Sequence, residues 1–87
     1  MFYVYVFYDR NRKIFYTGYT NNLKRRIAEH KCGKTQTTSR MEDKLLVYYE
    51  VGISQKDAEN REKQLKTGFG RGYLKKRLKN YLEKIPA

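Results

Sequence analysis

Seven consecutive residues near the start, Phe2-Tyr3-Val4-Tyr5-Val6-Phe7-Tyr8, are aromatic or β-branched and uncharged, in a chain of which 33 % is charged. Such a run favours a strand, and a strand with no polar alternate positions has to be covered on both faces. It therefore belongs at the centre of its sheet, with the rest of the chain arranged around it. With 87 residues there is room for one thin core and no second lobe, so a single domain spanning 1–87 is expected. Hydrophobic residues reach 39 % while aromatics reach 15 %, so that core is built from a few large rings.

The pattern continues in the same terms. Asp9 to Lys13 is polar, and Ile14-Phe15-Tyr16-Thr17-Gly18-Tyr19 is again strand-like, which predicts a hairpin with a loop of about five residues and Tyr5 opposite Tyr16. Thr20, Asn21 and Asn22 can cap a helix over Leu23 to His30, with Leu23, Ile27 and His30 on one stripe and Gly33 ending it. Gly33 to Asp43 reads as a loop, and Lys44 to Val51 as a third strand. Ser54-Gln55-Lys56-Asp57 approximates a capping box and opens a helix to about Thr67. Gly68, Gly70 and Gly72 are expected to break it. A last helix over Tyr73 to Ile85 gathers Leu74, Leu78, Tyr81, Leu82 and Ile85 within about 100° of arc, and Pro86 closes it. The order is β-β-α-β-α-α, an α+β domain.

Twenty Lys or Arg against nine Asp or Glu give a formal charge of +11, which favours a polyanionic partner, because cations placed at phosphates release condensed counterions. The chain has no apolar run long enough to span a membrane and no leader pattern. One cysteine, Cys32, and one histidine allow neither an internal disulfide nor a soft zinc ligand set. A reducing, cytoplasmic setting and no membrane partner are expected.

On a helical wheel of about 100° per residue, Arg26 borders the buried stripe while Lys24 and Arg25 point to solvent. On the next helix Glu62 lies about 40° from Ala58 on the inward side, with Leu65 about 20° to the other side, and Glu59 points away. An inward Arg and an inward Glu either pair with each other or serve a ligand, since neither is tolerated alone in a thin core. His30, at a helix end, suits the helix dipole as well as a site. Lys24 and Arg25, with Lys75, Lys76 and Lys79, form basic faces that are either solvated surface or phosphate contacts. The three glycines lack a preceding strand and read as a connector rather than a phosphate loop.

The ordered set Tyr3-Val4-Tyr5, Tyr16-Thr17-Gly18, Leu23 to His30 and Ala58-Glu59-Asn60-Arg61-Glu62 resembles the GIY-YIG nuclease domain, and most closely its small standalone bacterial members. The resemblance implies a three-stranded antiparallel sheet flanked by helices. It also implies metal-dependent hydrolysis of nucleic-acid phosphodiesters, as in homing endonucleases and the excision-repair subunit with this domain, with DNA favoured over RNA. By position, Tyr5 and Tyr16 match the two motif tyrosines, Arg26 the family arginine, His30 the histidine one turn later and Glu62 the metal-binding glutamate. Tyr3 and Thr17 replace the family's glycine and isoleucine. The asparagine that follows the glutamate in many members has Asn80 as its nearest, more distant counterpart.

On that basis Glu62 holds Mg²⁺, or Mn²⁺ in its place, Arg26 neutralises phosphate charge, and Tyr5 or Tyr16 orients or deprotonates the attacking water. As a base, the tyrosine needs its pKa lowered by Arg26 or His30. A protein partner is a further source of specificity. Two other classes fit the charge: a non-catalytic nucleic-acid-binding module stacking bases on Tyr19 or Tyr73, and a basic protein-interaction domain.

Overall fold

A computed structural model describes residues 1–31 and 44–84, except for the side chains of residues 30 and 31. The elements are β1 (Phe2–Asp9), β2 (Ile14–Thr20), α1 (Leu23–Lys31), β3 (Lys44–Gly52), α2 (Gln55–Leu65), α3 (Gly68–Arg77) and α4 (Lys79–Lys84). The three strands form one antiparallel sheet in the order β2-β1-β3, so the uncharged run is the central strand. The architecture is the expected α+β domain. Readings that involve Cys32 to Asp43, Ile85 or Pro86 lie outside the described residues.

Alternation along β1 sends Val4 and Val6 to one face, where they pack with Ala58 and Leu65 of α2 and Leu74 of α3. Leu65, Leu74 and Val6 are the largest side chains shut off from solvent. Tyr3, Tyr5 and Phe7 take the opposite face, the side of α1, where Tyr3, Leu23, Ile27, Leu46 and Tyr49 line a shared groove. No described α1 side chain is fully buried, so this face is covered more thinly. Between Val6 and Phe7 the pairing with β3 shifts, leaving Val47 as the extra residue of a bulge.

The hairpin differs from expectation by two residues in register. Asp9 pairs with Ile14, which leaves a four-residue turn and puts Tyr5 opposite Gly18 and Phe7 opposite Tyr16. The cause is local. The buried Asp9 carboxylate accepts from the backbone N–H of Asn11 (2.9 Å) and Arg12 (3.1 Å), and its carbonyl accepts from Lys13 (2.7 Å). These bonds close the turn tightly, with Lys13 at φ 58°, a left-handed conformation that costs a residue with a side chain about 1 kcal/mol.

Ser54 caps α2 as anticipated, its hydroxyl accepting from the Asp57 N–H at 3.3 Å. The glycines are not a connector: they form the first turn and a half of α3, capped by Thr67, whose hydroxyl accepts from the Gly70 N–H at 3.2 Å. Gly70 is buried, and a β-carbon there would overlap the backbone of Leu65, so the glycine lets α3 cross the end of α2 in close contact. The last helix is divided at Leu78 (φ −106°, ψ 16°), which takes Tyr81 out of the apolar stripe and exposes it. These two backbone sites are expected to respond with opposite signs. Urea denaturation should find Lys13→Gly more stable by about 0.5–1 kcal/mol and Gly70→Ala less stable by about 2 kcal/mol.

Candidate nucleic-acid-cleaving site

Tyr5 is the buried hub of the α1 side of the sheet. Its ring packs edge-on against Phe7 at 5.7 Å between centroids, and its hydroxyl lies over Gly18 so closely that a β-carbon there would overlap it. The glycine of the second motif is thus a steric vacancy that the Tyr5 side chain fills. Tyr16, half-buried, projects from the same face as its direct partner Phe7, on the diagonal from Tyr5.

Burial pushes the Tyr5 phenol above its ordinary pKa. Arg26 acts in the opposite direction, while Glu62 and Glu29 push it further up. The field at Tyr5 therefore comes from three charged groups on two helices, so residues distant in sequence are brought within electrostatic range of one hydroxyl. The net direction corrects the expectation that Arg26 or His30 would lower a tyrosine into the range of a base: for Tyr5 desolvation outweighs the arginine.

Arg26 and Glu62 do not pair with each other. Arg26 Nη1 lies 3.5 Å from Glu29 Oε1, one turn along α1, and both Arg26 Nε and Glu29 Oε1 are buried with no hydrogen-bond partner among the described residues. Glu29 is a member of this cluster that the sequence reading passed over. Its i,i+3 spacing from Arg26 was the available signal. Glu62 is 18 % exposed, and its one ion pair among the described residues is with the exposed Lys66 ammonium at 3.7 Å. A half-buried carboxylate paired with one surface ammonium has the hard oxygens and spare lone pairs that a small divalent cation needs. Among the described residues no group of three Asp, Glu, His or Cys converges, so what Glu62 could offer a divalent cation is a single carboxylate ligand. His30 belongs to the backbone of α1, and its side chain lies outside the described residues.

Two side-chain ties hold α2 across the sheet. At the β2 edge the Tyr19 hydroxyl donates to Glu59 Oε1 (3.1 Å), so Glu59 turns toward the sheet rather than away from it. At the β3 edge Arg61 Nε donates to Glu50 Oε2 (2.8 Å), and its guanidinium lies 4.9 Å from the centre of the Tyr73 ring. Tyr73 shares a 3.3 Å hydroxyl contact with Tyr48, whose pKa is pushed up to about 12, first by burial, then by Tyr73 and by Glu50. Tyr19 and Tyr73 are therefore structural and half-buried rather than exposed stacking platforms. The exposed rings are Tyr49, Phe69 and Tyr81. Lys24 and Arg25 are exposed on α1, while Lys75, Lys76 and Lys79 are exposed on α3 and α4, so the basic residues lie on separate elements.

A three-stranded antiparallel sheet flanked by helices, in the order β-β-α-β-α-α-α, defines the fold class of the nuclease-type α+β domains. The family model described as the GIY-YIG catalytic domain matches residues 1–76, and the chain belongs to that family. It is similar to a UPF0213 protein of Staphylococcus haemolyticus, 39 % identical over 66 residues that cover 75 % of this chain and 79 % of that one. It is also similar to a UPF0213 protein of Clostridium perfringens, 40 % identical over 68 residues that cover 76 % and 71 % of the two chains. No solved structure matches it significantly. No helix among the described residues is long and apolar enough to cross a membrane.

The raised Tyr48 pKa has a direct stability consequence. A phenol whose pKa is higher in the folded than in the unfolded chain favours folding fully below its unfolded value, and that contribution is lost as pH rises through the folded value. Stability should therefore fall between about pH 10 and 12. Tyr48→Phe should flatten that fall when unfolding free energies are compared across the window.

Proposed function

We propose that this chain is a divalent-metal-dependent endonuclease that hydrolyses phosphodiester bonds of nucleic acid, with DNA as its substrate. The observation that carries the reading is that the charges of Arg26 and Glu62, on two different helices, both act on the buried Tyr5 phenol, at a strand position where Gly18 leaves room for it. The formal charge of +11 supports a polyanionic substrate.

In this reading Arg26 takes the scissile phosphate. Its buried Nε–H has no hydrogen-bond partner among the described residues, and an oxygen of the phosphate supplies one. Glu62 is the protein ligand of the cation. The bound ion supplies a Lewis acid for the phosphate and charge for the leaving oxygen. Tyr5, kept protonated by burial, holds the attacking water in line by hydrogen bonding rather than by removing its proton. The proton passes to the His30 imidazole, while Tyr16, a phenol like Tyr5, hydrogen-bonds the water. Lys24, Arg25, Lys75, Lys76 and Lys79 hold the backbone without reading bases.

The test incubates the purified chain with labelled single-stranded, duplex and branched DNA and structured RNA, with and without Mg²⁺ or Mn²⁺. Metal-dependent cutting is expected, reduced about 10²-fold or more by Arg26→Ala, by Glu62→Ala and by Gly18→Ala, each with its circular dichroism retained. Binding without cutting under every condition, Mn²⁺ included, establishes instead a nucleic-acid-binding module on a nuclease fold.

A further inference from the structure

Next to Arg26, where β2 ends and α1 and α2 both begin, lies a cavity of about 270 Å³ lined by Phe2, Tyr19, Asn21, Arg25, Arg26 and Gln55. Its walls are rich in hydrogen-bond donors that the protein does not use. Arg25 forms no ion pair and the Gln55 amide no hydrogen bond among the described residues, and Arg26 Nε is an unpartnered buried donor. Two carboxylates lie nearby: Glu29 pairs with Arg26 Nη1 at 3.5 Å, and Glu59 accepts from the Tyr19 hydroxyl, a bond that ties the β2 wall to the α2 wall. The cavity is thus a concavity lined by two guanidiniums, of which Glu29 offsets only that of Arg26, an environment suited to an anion with several acceptor oxygens. Arg26 lies in its wall and also acts on Tyr5, so the cavity and the candidate site share one guanidinium.

We propose that this cavity is a phosphodiester subsite that seats the backbone unit next to the one cleaved, with Arg25 and Gln55 as its own donors and Arg26 shared between the two. The assignment rests on the nuclease reading for its substrate. Its chemistry requires the substrate strand to continue past the cut on the α1–α2 side, where Phe2, one of the lining residues, offers an apolar ring to the sugar. Gln55 separates this role from a structural one. As the first residue of α2 it would be replaced by Glu at no cost to the helix, because an acid in the first turn complements the helix dipole.

Two measurements on the full chain test the subsite. In ¹⁵N-resolved NMR, dimethyl phosphate as a one-phosphodiester probe should shift the Gln55 side-chain amide and the Nε–H signals of Arg25 and Arg26 saturably, beyond the effect of sodium chloride at equal ionic strength. Gln55→Glu should weaken metal-free DNA binding about tenfold with an unchanged or higher melting temperature. Asn60→Glu, the same charge change on the exposed surface of α2, should weaken it about twofold. Equal weakening by the two substitutions, or dimethyl phosphate shifts spread evenly over the exposed lysines, overturns the subsite. A chain that meets both expectations yet cuts nothing keeps the subsite and loses the nuclease reading.

Discussion

Burial of Val4 and Val6 beneath α2 and α3 determines where every other group of the molecule can point. Because side chains alternate along a strand, placing these two valines in the core sends Tyr3, Tyr5 and Phe7 to the opposite face. A slip of one residue would exchange them, putting a phenol into the apolar core and a valine at the site. Two local devices guard that choice. The Asp9 turn locks β2 so that the one residue without a side chain, Gly18, lies under the Tyr5 hydroxyl. The bulge at Val47 adjusts β3 while leaving the direction of Tyr5 unchanged.

The second constraint is the lie of α2. Ala58 and Leu65 bury its centre, and the residues flanking that stripe are tied to opposite edges of the sheet, Glu59 to Tyr19 and Arg61 to Glu50 and Tyr73. Each tie is partly exposed and contributes on the order of 1 kcal/mol or less, so the core supplies most of the stability. What the ties supply is rotation about the helix axis. With Glu59 turned to β2 and Arg61 to β3, Glu62 is carried to the β2 side, within electrostatic range of Tyr5. Arg61, next to Glu62 in sequence, is thus an anchor for the helix that carries the candidate metal ligand.

Periodicity made most of the architecture legible. The uncharged run marked the central strand, Ser54 marked the start of α2, and the wheel placed Arg26 and Glu62 near the sheet because amphipathic spacing reports orientation directly. What periodicity could not show was decided by contacts between distant residues. The hairpin register depended on bonds to one buried aspartate, which a count of loop residues does not contain. The glycines at 68, 70 and 72 look like breakers, yet Gly70 is demanded by close approach to Leu65. Glu59 was read as pointing away because the wheel knows nothing of Tyr19, and the Tyr5 pKa was expected to fall because the arginine was visible in sequence while the depth of burial was not.

The central proposal, that Glu62 holds a divalent cation beside Tyr5 and Arg26, is tested most directly by paramagnetic broadening from Mn²⁺. Trace Mn²⁺ added to the isotopically labelled chain should bleach the signals of Glu62, Tyr5, Gly18 and Arg26 first, and Glu62→Gln should abolish the effect. Broadening centred on Glu50 and Asp57, or spread evenly over the surface carboxylates, would contradict the account.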